Sequence, residues 1–105
     1  MATIDDPVLA RFRAALNDMY GDRLERAVLF GSRARGDARP DSDYDVAVFL
    51  KAMPDRWIEF DRLAVLGTRL IEETGLVVHA MPFQAGAYQE RTPLMHDLRQ
   101  EGVVL

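Results

Sequence analysis

The chain has no cysteine, which excludes a disulfide framework, a thiolate metal site and a thiol nucleophile. It also lacks a long apolar run. No stretch approaches the ~20 residues that cross a bilayer, and the opening Met1-Ala2-Thr3-Ile4-Asp5-Asp6 does not read as an export signal. The expected location is therefore cytoplasmic, with no membrane partner. Positive charge is in short supply: 13 Lys and Arg against 17 Asp and Glu leave a net charge of −4. Strong direct binding of nucleic acid is not expected from such a chain, because those binders are usually basic. A small local cationic patch is still allowed. Internal repeats, low-complexity segments and linkers are absent. With 105 residues there is material for a single domain, 1–105, and one modest core.

What is present begins with periodicity. Val8, Leu9, Phe12, Ala15, Leu16, Met19 and Tyr20 recur at helical spacing, with Asp5 or Asp6 as cap, Pro7 in the first turn and Gly21 as the stop. Residues 26–30 are short and apolar, hence a strand. Residues 44–50 are apolar on both faces, which suits a central strand. Trp57, Phe60, Leu63, Ala64, Gly67, Leu70 and Ile71 predict a second long helix ending at Gly75. Residues 76–81 read as a third strand, stopped by Pro82. Thr92 and Pro93 open a last helix that runs to about residue 100, with Gly102 beyond it. The order α-β-β-α-β-α implies an α+β fold, a small mixed sheet with helices packed on it.

The stretch VLFGSRARGDARPDSDYDVAVFL, residues 28–50, holds the chemistry. Asp43 and Asp45 are two apart at a strand start, so their side chains share a face, roughly 7 Å apart along the chain. Two carboxylates there repel each other. A divalent cation relieves that repulsion, and hard oxygen ligands with open coordination positions suit Mg²⁺. Tyr44 between them must point into the core. Gly31 permits close backbone approach, Ser32 offers a hydroxyl, and the turn after them can aim N–H groups at a phosphate. Arg33 and Arg35 in the turn, and Arg39 in the loop, carry guanidinium groups that match phosphate oxygens. If the two strands are neighbours, phosphate donors meet metal-binding carboxylates, the arrangement that phosphoryl or nucleotidyl transfer requires.

Other readings of this stretch are weaker. An EF-hand beginning at Asp41 would need glycine where Val46 stands and Glu where Ala52 stands. Gly31 to Gly36 has Walker A spacing, but Asp37 occupies the lysine position. Arg35-Gly36-Asp37 spells an adhesion tripeptide in a chain with no export signal. A solvated hairpin accounts for Arg39, Pro40 and Asp41 but not for Asp45 entering a core strand. Taken singly, His79 and His96, like the scattered Met53, Met81 and Met95, read as packing or surface residues.

Gly31 and Ser32, ten residues, then Asp43-Tyr44-Asp45 resembles the G-S-x10-D-x-D signature of the DNA polymerase β-like nucleotidyltransferase superfamily. The run G-S-R-A-R-G…S-D-Y-D is similar to its minimal nucleotidyltransferase (MNT) domains. The resemblance implies the nucleotidyltransferase fold. It implies that Gly31 and Ser32 hold a nucleoside triphosphate, ATP, and that Asp43 and Asp45 are the catalytic Mg²⁺ ligands; Arg33, next in the turn, is expected to join the triphosphate contacts through its guanidinium. It implies transfer of a nucleoside monophosphate, AMP, to an acceptor hydroxyl. Many relatives are antitoxins encoded beside a helical HEPN-domain toxin, and some transfer AMP to a tyrosine of that toxin, so a HEPN-domain protein is the expected partner. One departure stands out. The family has a third carboxylate on a later strand, whereas Leu76-Val77-Val78-His79-Ala80-Met81 has no acid. The expected position falls near Val78 or His79. Either His79 takes part of the role as a base, or an acid such as Glu72 or Glu73 reaches in, or the chain is a catalytically weak or inactive binding module that neutralises its partner by complex formation. Trp57, Phe60, Tyr88 and Leu94 are the large apolar residues that could anchor such a partner.

Overall fold

The computed structural model describes residues 6–105. Helix α1 spans Pro7–Tyr20, and Asp6 caps it: Oδ1 accepts from the N–H of Val8 at 2.8 Å and of Leu9 at 3.2 Å. Asp5, the other candidate cap, lies outside the described residues. A short 3₁₀ turn, Gly21–Arg23, leads into strand β1, Leu24–Phe30. A single helical turn, α2 at Ser32–Arg35, precedes strand β2 at Tyr44–Leu50. Helix α3, Arg56–Thr74, starts at an Asp55 cap and ends at Gly75. Strand β3 is Val78–Gln84, helix α4 is Pro93–Glu101 behind its Thr92 cap, and Val103–Val104 forms a short β4.

The sheet order is β3-β2-β1-β4, with β2 parallel to β3 and the other two pairs antiparallel. Strand β2 is central, which is why both of its faces are apolar. Tyr44, Val46, Val48 and Leu50 face α1 and α3 in the larger core, while Ala47 and Phe49 face Met95 and Leu98 of α4. The result is the mixed-sheet α+β arrangement expected from the element order.

Three details differ from the expectation. Strand β3 runs through Pro82 instead of stopping there, with Pro82 in register with Val48. It is an edge strand, whose outward N–H groups have no ladder partner, so proline is tolerated. The two-residue β4 is too short to leave a period. It forms because α4 returns the chain to β1 at Gly102, where a Cβ would lie 2.3 Å from the Leu98 carbonyl and 2.5 Å from Val28 Cγ1. Finally, the four anchor candidates do not form one cluster. Trp57 is 74% exposed and packs its ring against Phe60 on α3, whereas Tyr88 and Leu94 belong to the α4 core on the other face.

Candidate active site

The antiparallel register sets Phe30 opposite Asp45, so the residue after Phe30 meets the start of β2. That residue is Gly31, at φ 75° and ψ −158°, a region essentially reserved for glycine. A Cβ there would lie 2.7 Å from Asp45 Oδ2. The close approach anticipated for a ligand is thus made first by the chain's own carboxylate. Gly31→Ala is expected to cost about 1–3 kcal/mol in backbone strain and to push the Asp45 carboxylate out of place. Thermal melting with and without ATP and Mg²⁺ checks this. A variant that melts and responds like wild type would contradict the geometry.

Ser32 opens the α2 turn. The Gly31 carbonyl accepts from the N–H groups of Ala34 and Arg35, both at 3.1 Å, and the Ser32 carbonyl from Gly36 at 3.0 Å and Asp37 at 3.1 Å. The turn is therefore closed on itself, with Ser32 half-buried at its start.

Asp43 and Asp45 project from the sheet face that α4 covers farther along the strand. Their side chains are 49% and 37% exposed, so the pair opens to solvent. Burial raises the Asp45 carboxyl above the usual carboxylate range; the nearby His79 opposes this shift and the Asp43 charge adds to it. No hydrogen bond offsets it among the described residues.

The parallel register pairs His79 with Asp45. Its Nε2 is 3.9 Å from Asp43 Oδ2 and its Nδ1 is 3.8 Å from Asp45 Oδ1. Val78, the other candidate for the third position, is buried in the larger core. Glu72 and Glu73 do not reach the pair. They end α3 on the opposite side of the sheet, and Glu73 lies 3.5 Å from Arg11 of α1. No group of three or more His, Cys, Asp or Glu able to hold a metal occurs among the described residues. The site therefore offers two carboxylates, with an imidazole alongside at non-bonded distance.

Of the three arginines, Arg35 is exposed beside Asp37 at 3.4 Å and Arg39 is exposed in the loop. Arg33 is not free. Its Nε and Nη2 donate to the Ser42 carbonyl at 3.1 and 2.8 Å, and Nη2 also donates to the Pro40 carbonyl at 3.0 Å. Its guanidinium carbon stands 4.0 Å from the centre of the Tyr44 ring. The buried Tyr44 hydroxyl donates to Asp6 Oδ2 at 2.6 Å. Burial first, then this contact with Asp6, push its pKa up to about 12. This Arg33–Tyr44–Asp6 chain was not anticipated. Its sequence signal is the polar tip of Tyr44, which needs a partner once its ring enters the core.

A four-stranded mixed sheet with an acidic pair at the mouth of its central strand, next to a Gly-Ser turn, is a nucleotidyltransferase arrangement. Residues 9–94 match the nucleotidyltransferase domain family, and the chain belongs to that family. It is 32% identical over 77 residues to "Putative protein adenylyltransferase MJ0604" of Methanocaldococcus jannaschii, covering 73% of this chain and 71% of that protein. "Putative protein adenylyltransferase MJ0141" of the same organism is 40% identical over 47 residues, 45% of this chain and only 48% of that protein. Among solved structures, a toxin-antitoxin with AMP-PNP has the same fold at TM-score 0.64 and 22% identity, over 90% of this chain and 69% of that one. A "putative nucleotidyltransferase from Sulfolobus solfataricus" follows at TM-score 0.61 and 22% identity, over 92% and 75%. No helix among the described residues is long and apolar enough to cross a membrane.

Proposed function

We propose that this protein is a Mg²⁺-dependent nucleotidyltransferase that moves AMP from ATP to a hydroxyl group of a HEPN-type protein partner. The observation that carries the reading is the solvent-open Asp43 and Asp45 pair held against the Gly31 and Ser32 turn. Family membership supports the reaction class. The relatives' names as protein adenylyltransferases support a protein acceptor, and the toxin-antitoxin neighbour supports a protein partner.

The residues fit the metal. Asp43 and Asp45 supply hard oxygen ligands and repel one another, and Mg²⁺ completes its shell with water and substrate phosphates. When bound, it would neutralise charge on the triphosphate and on the group being transferred. Ser32 would donate its hydroxyl to a phosphate oxygen, with Gly31 giving the backbone room to approach. The acceptor oxygen forms a bond to the α-phosphorus, pyrophosphate leaves, and a ring nitrogen of His79 takes the acceptor proton.

The test is intact-mass measurement of the HEPN-type partner after incubation with this protein, ATP and Mg²⁺. The expected result is a partner heavier by one or more AMP units. A second reading, neutralisation by binding alone, draws on one observation: strand β3 beside the acidic pair carries no acid, and its residue paired with Asp45 is His79. In that case the partner is inhibited with its mass unchanged.

A further inference from the structure

We propose that Arg33 is a positioning residue that sets the two halves of the site against each other, and not a phosphate ligand. The inference rests on the reading of Asp43 and Asp45 given above. Side chains alternate along a strand, so Tyr44 points away from the face that carries Asp43 and Asp45. Tyr44 is buried in the α1 and α3 core. The Arg33 guanidinium stacks over that ring at 4.0 Å, which puts it on the side of the strand opposite the carboxylates.

Its Nε and Nη2 donors are committed there. The Ser42 carbonyl, which takes two of the three bonds, belongs to the peptide that leads directly into Asp43. The Pro40 carbonyl takes the third. Residues 39–42 form a turn of their own, with the Arg39 N–H on Ser42 Oγ at 2.9 Å and the Ser42 N–H on the Arg39 carbonyl at 3.0 Å. Arg33 therefore grips a preformed turn. The strand mouth is held on its other sides by the Tyr44 N–H on the Val77 carbonyl at 2.9 Å and the Tyr44 hydroxyl on Asp6 at 2.6 Å. Arg33 itself lies in α2, directly after Gly31 and Ser32. One side chain thus couples the turn proposed for phosphate to the peptide that carries the first carboxylate. A lysine would keep the charge but lose both the planar fork and the flat cover on the ring.

The experiment compares wild type, Arg33→Lys and Arg33→Gln. Hydrogen exchange of the free protein is read first. Amide exchange at Ser42 and Tyr44 should quicken about tenfold in Arg33→Lys, while the middle of α3 keeps its protection. Arg33→Gln, which retains a planar donor, should fall between the two and guards against a lysine variant that folds poorly. ATP affinity is then titrated in EDTA and should stay within about twofold, whereas the Mg²⁺ concentration for half-maximal transfer should rise about tenfold, the usual scale for residues that orient metal ligands. Unchanged exchange at Ser42 and Tyr44 would overturn the proposal. So would a tenfold loss of ATP affinity in EDTA with the Mg²⁺ requirement unaltered, the signature of a direct phosphate contact. If wild type itself neither binds ATP nor modifies a partner, the proposed function fails, and the exchange rates still decide the clamp.

Discussion

Replacing Asp43 and Asp45 together by asparagine is expected to abolish nucleotidyl transfer while leaving the fold intact. Both side chains are partly open to solvent and neither belongs to the core clusters. The carboxylates repel each other, and the Asp45 carboxyl is already raised by burial, so the free double variant should be as stable as wild type or more so. What it loses is the response to ligand. Wild type at ATP and Mg²⁺ concentrations ~100 times the dissociation constant should gain about 2.7 kcal/mol, and the variant should gain nothing. Loss of several kcal/mol of metal-borne charge stabilisation corresponds to a fall in rate of about 10³-fold or more. Calorimetry with and without ATP and Mg²⁺, together with a transfer assay, measures both quantities. An undiminished melting shift in the variant would place the nucleotide elsewhere.

The second large effect is on stability. Glu59→Ala is expected to cost about 1.5–3 kcal/mol, the usual scale for hydrogen bonds to a charged group, because Arg23 and Arg62, 36% and 48% exposed, keep access to water once the carboxylate is gone. Glu59 is a buried acid, 3% exposed, in the core-facing stripe of α3. Arg23 reaches its Oε2 at 2.8 Å and Arg62 its Oε1 at 3.3 Å. Arg23 also donates to the Ala52 carbonyl at 2.7 Å, tying the turn after α1 to the chain leaving β2. The Tyr20 hydroxyl is buried beside Glu59 without a well-formed hydrogen bond. Removing the carboxylate takes away the acceptor these groups surround, at the end of the sheet away from the site.

A pH dependence follows from the same cluster. Burial pushes the Glu59 carboxyl up, but Arg23, the Tyr20 hydroxyl and Arg62 outweigh it, and the group ends below the usual carboxylate range. A carboxylate depressed on folding stabilises the native state above its unfolded value, about 4.3. That contribution fades as pH falls through the lower folded value. Melting between neutral and acid pH should show this loss in wild type, and Glu59→Gln should remove its share of the acid slope. A Glu59→Ala protein that melts within about 1 kcal/mol of wild type would contradict the ion-pair account.

Strand β2 was legible in the sequence to the residue, because polar Asp43 and Lys51 bracket a run apolar on both faces. Helix α3 was legible almost as well, through its period and Gly75; its Asp55 cap went unnoticed. The acidic pair and the Gly-Ser turn could be found from spacing alone, since alternation along a strand fixes which side chains share a face. Pairing across the sheet could not. That His79 would fall beside Asp45 depends on the β2 and β3 register, which local pattern leaves open. Glu59 escaped notice because a charged residue inside an apolar stripe makes sense only once Arg23, 36 positions away, is seen to fold against it. Arg33 was read as a phosphate contact from its place in the turn; that its guanidinium meets the Ser42 and Pro40 carbonyls depends on how the loop folds back, which local sequence does not carry.

The most direct test of the central claim uses α-labelled ATP, Mg²⁺ and the proposed HEPN-type partner, with wild type and the Asp43→Asn, Asp45→Asn double variant in parallel. The account predicts that label passes to the partner with wild type only. The partner should gain mass in AMP units and stay inactive after the two proteins are separated. An unlabelled partner, neutralised equally well by both proteins and active again once separated, would contradict it.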